Sequence, residues 1–300
     1  MRPGHLAVVG ATVVDVILAR TPRLPSWPRH SEFAVDNLVL LADAPLVTLG
    51  GNGANAAYAA ARGGAAVSLH TRLGRDLFGG LARRWLEEAG CRLAASRPAP
   101  RTAVNVTAAN ARHERATFFY PGAAPLLPSA GALRGATHLL VCGWPHPAPR
   151  PTAALFRAAR KRGVFTALDA GPFLGKPWTV AGLAPLLPHL DLFLANEHEL
   201  AALTGKSGAA AVAALRREFG GHLVVKRGAR GALWHPAGPG RPHSVAATRV
   251  RAVNTVGAGD SFNGALLAAL ALGRPFPRAL ALAARTAARV VASGRGIVGL

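Results

Sequence analysis

The sequence predicts an α/β fold: a central, mostly parallel sheet flanked by helices, with a small β-sheet lid. Three observations carry that prediction. Short apolar runs alternate with helix-like stretches along most of the 300 residues. Two blocks, near residues 12–47 and 99–122, interrupt the alternation with extended pieces that have no helical period. Half of the chain is hydrophobic and only 16% is charged, which supplies a large core and excludes a disordered chain. We read residues 1–300 as one α/β domain with those two blocks inserted as lid segments.

The elements follow in order. HLAVVG, residues 5–10, is an apolar run closed by glycine and reads as a buried strand. Residues 13–18 and 33–41 are extended pieces broken by Pro22, Pro25 and Pro28, and residues 102–120 alternate polar and apolar side chains. These blocks are expected to pair as a small antiparallel sheet apart from the main body. Helices are expected at 54–62, 77–89, 152–162, 197–203 and 209–219, and strands at 65–70, 138–142, 164–169, 191–194 and 222–226. From Gly259 onward, two Ala/Leu-rich helices are separated by Arg274 and Pro275. The repeated β-α-β order requires a parallel sheet covered on both faces.

Composition narrows the function. The net charge is +21, yet 31 of the basic residues are Arg and only four are Lys, in a chain rich in Ala, Gly and Pro. That bias looks compositional. The arginines are scattered, with pairs such as Arg83-Arg84 but no run of five, and aromatics make up 6%. This speaks against nucleic acid, whose recognition needs clustered charge and stacking platforms, and favours a smaller anion. The uncharged stretch of residues 116–133 contains Pro121, Pro125 and Pro128 and cannot form a membrane helix. The early apolar run ends at Asp15 without a cleavage-type sequence, so a cytoplasmic location is expected. Cys91 and Cys142 have neither metal-ligand spacing nor a disulfide framework.

Two glycine-rich turns carry chemistry. In NTVGAGDSFNG, residues 254–264, Gly257 and Gly259 precede an amphipathic helix beginning near Asp260. Unpaired N–H groups and the macrodipole at such a helix start hold phosphate. Asp260 either caps that helix or takes a proton from a hydroxyl attacking the phosphorus. In GGNGANAA, residues 50–57, Asn52 and Asn55 can both donate and accept, as polyol recognition requires. A dinucleotide fingerprint also fits Gly51, Gly53 and Ala56 formally, but the next strand ends in His70-Thr71 rather than an acid. Gly205-Lys206-Ser207 lacks the earlier glycine of a Walker loop, since that position is Leu200, and reads as a helix C-terminus.

Together the turns resemble the two signatures of the PfkB carbohydrate kinase family, within the ribokinase-like fold. Their order and the roughly 200 residues between them match as well, and the resemblance runs from Val8-Val9-Gly10 to Gly294. It implies ATP-dependent transfer of a phosphoryl group to a hydroxyl of a small sugar or related polyol. Asp260 matches the family's catalytic base, and Gly257, Ala258 and Gly259 match its anion hole. Asp15, Gly51 and Asn55 match acceptor-binding positions, and Asn52 stands in the same turn where ribokinases commonly carry Lys. Asn196 and Glu199 match the Asn-x-x-Glu element that organises Mg2+ through water, and Lys226 and Gly228 match strand-end residues that contact nucleotide. Position 254 is Asn where the second signature usually has Asp, which speaks against K+ activation. The resemblance also implies a homodimer formed through the lid. A nucleoside kinase on the same fold is the alternative, with Phe118, Phe119, Tyr120 and Trp144 available for a base slot or, more simply, for core and hinge packing. A basic binding protein without turnover is the third reading.

Overall fold

In the computed structural model, residues 4–24, 38–95, 100–110, 112, 114–122, 129–143, 149–171 and 178–300 are described. Trp144, Pro25, Pro28 and residues 33–37 of the expected second extended piece lie outside them.

The chain starts with β1 (His5–Val9), then β2 (Val13–Thr21), β3 (Leu46–Gly50), α1 (Asn52–Arg62), β4 (Ala66–Thr71), α2 (Leu77–Glu88) and β5 (Cys91–Ala95). It continues with β6 (Ala103–Asn110), β7 (Arg115–Tyr120), β8 (His138–Cys142), α3 (Pro149–Lys161), β9 (Phe165–Asp169), α4 (Val180–Leu183), β10 (Leu192–Asn196), α5 (Glu197–Thr204) and α6 (Gly208–Arg216). It closes with β11 (His222–Lys226), β12 (Ala232–His235), β13 (His243–Val245), α7 (Ala258–Ala271) and α8 (Phe276–Ser293).

Nine strands form the main sheet in the order β13-β12-β11-β10-β9-β8-β1-β4-β5. Pairing is parallel from β5 through β11 and antiparallel for β12 and β13. Alternate residues of β1 serve two cores. Leu6 and Val8 pack with α1, α7 and α8, whereas Ala7 and Val9 pack with α3, α5 and α6. That explains why β1 is apolar from Leu6 to Val9: helices cover both of its faces.

The small sheet has the order β3-β2-β6-β7. The expected wholly antiparallel pairing needs correction. β2 pairs antiparallel with β3, at Leu46–Gly50 rather than in the expected piece at 33–41, whose described residues 38–41 form no strand, and β6 pairs antiparallel with β7, but β2 and β6 run parallel. The strand-alternation signal gives faces, not direction, and therefore could not distinguish the two. The aromatic residues of β7 also differ from the expected core packing: Phe118, Phe119 and Tyr120 are 63%, 37% and 52% exposed. β7 is an outer strand of the small sheet.

Helices α1 and α7 bring the two glycine-rich turns together. Every alanine of α1 from Ala54 to Ala60 is fully buried or nearly so, which lets the helix axes approach closely. At their crossing, a Cβ on Gly264 would lie inside contact distance of the Ala56 carbonyl. At the start of α1, a Cβ on Gly53 would lie 2.6 Å from the Gly10 carbonyl carbon, so glycine seats the helix directly on the end of β1.

Candidate active site

The C-terminal ends of the parallel strands converge on one edge of the sheet, where ligands bind in open α/β folds. Gly10 follows β1, Gly143 follows β8, and Asp169, Asn196 and Lys226 end β9, β10 and β11. The start of α7 lies over this edge. Gly257 is its N-cap, in the left-handed region at φ 77°, and makes no side-chain cap bond. The first helical bond runs from the Ser261 N–H to the Gly257 carbonyl at 2.9 Å. The N–H groups of Gly259 and Asp260 precede that bond and have no partner within the helix.

Asp260 is therefore the third residue of α7, not its cap. Its Oδ2 accepts from Asn55 Nδ2 at 3.1 Å, which ties the second glycine-rich turn to the first. Asn55 also lies 2.9 Å from where a Cβ on Gly257 would stand. Burial pushes the Asp260 carboxyl up to about 7, and Asp169 and Glu199 push the same way, while Lys226 and the Asn55 bond oppose them. A carboxylate poised there is half-ionised near neutrality and can accept a proton.

Asp169 is the polar residue here that the sequence reading missed. It is 2% exposed and accepts from Lys226 Nζ at 2.9 Å, across the intervening β10. An acid closing an apolar run, FTALD, at the C-terminal end of a predicted parallel strand is the signal that could have found it. Burial works against the Lys226 ammonium, but Asp169, Glu199 and Asp260 more than offset this, so its pKa is raised. Lys226 Nζ lies 3.7 Å from the position of a Cβ on Gly259, placing its charge beside the start of α7.

The first turn is lined by amides. Asn52 Oδ1 accepts from the Ala11 and Gly53 N–H groups at 3.2 and 2.8 Å. Its Nδ2 and Asn55 Oδ1 are buried without partners among the described residues. Gly51 holds φ at 87° beside the Ala11 carbonyl. Asp15 is 5% exposed on β2 and accepts from Asn105 Nδ2 at 3.1 Å. Asn196 and Glu199 form a reciprocal capping box at the start of α5: Asn196 Oδ1 accepts from the Glu199 N–H at 2.8 Å, and Glu199 Oε2 accepts from the Asn196 N–H at 2.7 Å. Burial raises the Glu199 pKa. Gly228 is exposed at φ 57° after β11. Asn254 Oδ1 accepts from the Val256 N–H at 2.9 Å.

The rejected alternatives have their own places. Asp76 caps α2 and accepts from Thr102, far from a dinucleotide role. Gly205 ends α5 in the left-handed region. A cavity of about 420 Å³ lined by Phe165, Asp191 and His222 lies at the opposite, N-terminal ends of β9–β11 and contains none of the residues above.

The sequence model described as pfkB family carbohydrate kinase matches residues 4–299. The chain belongs to that family. Among the relatives of this pfkB-family kinase, the deoxyribokinase of Salmonella typhi is 30% identical over 275 residues, covering 86% of this chain and 83% of the relative. The 2-dehydro-3-deoxygalactonokinase of Haloferax volcanii is 33% identical over 146 residues, covering 46% of this chain and 44% of the relative. Among solved structures, Arabidopsis thaliana ribokinase complexed with ribose and ATP superposes with a TM-score of 0.81 at 24% identity, covering 100% of this chain and 96% of that one. Adenosine kinase from Sinorhizobium meliloti superposes with a TM-score of 0.76 at 18% identity, covering 97% and 94%. The fold is ribokinase-like and the protein is a carbohydrate kinase. No helix among the described residues is long and apolar enough to cross a membrane.

Proposed function

We propose that this kinase transfers the γ-phosphoryl group of ATP to a hydroxyl of a small sugar or related polyol, with Asp260 as general base. The observation that carries the reading is the Asp260 carboxylate, hydrogen-bonded to Asn55 at the open N-terminus of α7. A hydroxyl held on the Asn52–Asn55 turn faces a base whose own helix presents unpaired N–H groups to the departing charge. Gly257, Ala258 and Gly259 form the anion hole in this reading, and phosphoryl transfer depends mainly on such positioning and charge neutralisation. Asp15, Gly51, Asn52 and Asn55 hold the acceptor.

Lys226, Asn196 and Gly228 stand on the nucleotide side. Lys226 is already paired with Asp169, so it serves both as counter-charge to the buried acids and as a fixed positive end for phosphate oxygens. Glu199 fits a magnesium ion held through water, because one carboxylate oxygen is spent in the capping box and the other makes no hydrogen bond among the described residues. No three ligating side chains converge among those residues, which suits a cation that keeps its waters and the nucleotide's oxygens. Bound magnesium would supply charge neutralisation on the phosphates. Asn254 spends its oxygen on Val256, which supports turnover without K+. The lid pairs two subunits through β7, whose Phe118 and Tyr120 face solvent, and the enzyme works in the cytoplasm.

The relatives make ribose and 2-deoxyribose the first acceptors to try. The test measures ADP formation with ATP and Mg2+ across neutral sugars, sugar acids and nucleosides, in sodium and in potassium buffers. A neutral pentose or hexose is expected to give the highest kcat/KM, with equal rates in the two buffers. A nucleoside as best acceptor would replace this reading with a nucleoside kinase, and no turnover with any member would remove the kinase assignment for Asp260.

A further inference from the structure

We propose that Asn105 is a positioning residue for the acceptor: its side-chain amide fixes the Asp15 carboxylate over the Gly50-Gly51 turn, so that sugar affinity, far more than turnover, depends on it. The proposal rests on the reading above that Asp15 binds an acceptor hydroxyl.

The geometry begins with strand register. β2 and β6 are parallel neighbours with Asp15 opposite Asn105, so both side chains stand on the same face of the small sheet. Asn105 Nδ2 donates to Asp15 Oδ1 at 3.1 Å and reaches Thr107 Oγ1 at 3.4 Å. Those two acceptors set the orientation of the amide and turn its Oδ1 away, where it is buried without a donor among the described residues. A strand interior favours residues such as the flanking Val104 and Val106 over Asn, and an orphaned buried carbonyl is a further cost. The chain tolerates both costs at a position whose amide donates to Asp15. The other carboxylate oxygen lies over the Cα of Gly50, so close that a Cβ there would collide with it. One oxygen is thus held by Asn105 and the other is aimed at the turn that begins α1.

Among the described residues, no charged side chain contributes to the shift of Asp15. β3 presents Thr48, whose hydroxyl donates to the Arg295 carbonyl, and Gly50. β6 presents Asn105 and Thr107, both uncharged. On α2, Asp76 is engaged by Gly79 and Thr102, and Arg83 and Arg84 pair with Glu87 and Glu88 in solvent. Burial accordingly pushes the Asp15 carboxyl up to about 6, with the Asn105 bond as the opposing influence. Loss of that bond moves the titration further up, so the acceptor meets a neutral acid at pH values where it now meets a carboxylate.

The experiment measures kcat and KM for the best acceptor of the panel from pH 5.5 to 9 in the wild-type enzyme, N105V, N105T and D15N. For N105V, a shift of one pKa unit raises the expected acceptor KM about threefold at pH 6.5, about eightfold at pH 5.5 and hardly at all at pH 8.5. The acid limb of kcat/KM moves upward, and the effect on kcat and on the KM for ATP is much smaller. N105T, a strand former that keeps a donor, should restore most of the profile, and it carries the test alone if N105V melts early. An N105V profile that superimposes on wild type, or an N105T profile as displaced as that of N105V, overturns the inference while D15N still raises KM. A D15N enzyme with unchanged acceptor KM would instead overturn the underlying assignment of Asp15.

Discussion

The two glycine-rich turns look alike in sequence and differ in what surrounds them. In the first, Gly51 and Gly53 are pressed against backbone: a Cβ would lie 2.6 Å from the Ala11 carbonyl oxygen at Gly51 and 2.6 Å from the Gly10 carbonyl carbon at Gly53. In the second, Gly259 is exposed, and a Cβ there would meet only Lys226 Nζ, at 3.7 Å. Glycine in the first turn lets protein approach protein. At Gly259 of the second turn it leaves room that no part of the described chain fills, as an anion-binding helix start requires.

Substitutions can break or sharpen that contrast. The largest effect is expected from D260N, with kcat lowered roughly 10²–10⁴-fold while ATP still binds, checked by steady-state kinetics alongside nucleotide titration. Near-normal turnover in D260N would leave the second turn without its base. Next, G53A should destabilise the fold by about 3 kcal/mol, because neither backbone can move aside, and a denaturant melt reads this directly. G259A should do the opposite: thermal stability held or slightly raised, as Ala replaces Gly in a helical conformation, with turnover down about 10²-fold from displacement of the phosphate. Equal loss of stability in both variants would erase the distinction.

A subtler effect is pH dependence. With the Asp260 carboxyl pushed up to about 7 by burial and by Asp169, kcat should rise with pH through a midpoint near 7 as the base loses its proton. The same shift has a stability sign. The folded state holds that proton more tightly than the unfolded chain, so this group's contribution is full below about pH 4 and is lost as pH rises toward 7. At pH 8, D260N should therefore melt at a higher temperature than the wild type, and a lower melting point would contradict the buried, charged base.

Much of this was legible beforehand because it depends on local signals. Strands β1, β8 and β10 each carry four apolar residues in a row, and both turns announce themselves by glycines before a helix. What escaped depends on tertiary partners. β12 and β13 are only four and three residues long, and β12 is held by the stacking of Trp234 on Phe276 at 4.7 Å and on His243 at 5.0 Å. Nothing local in ALWH marks it as a strand. Asp169 reads as the end of an apolar run until Lys226 arrives from two strands away. Asn105 is one polar residue in an alternating strand, and only the parallel register with β2 gives it Asp15 as a partner. The helix of the second turn also begins at Ala258, earlier than its first charged residue suggested, which moved Asp260 from cap to interior.

The aromatic outer strand of the small sheet has a practical consequence. On the proposed pairing through β7, each acceptor pocket borrows its stiffness from a neighbour, so dilution loosens the very walls that hold the sugar. Protein concentration then becomes a kinetic variable, and a rate measured in a dilute assay understates that of the paired enzyme.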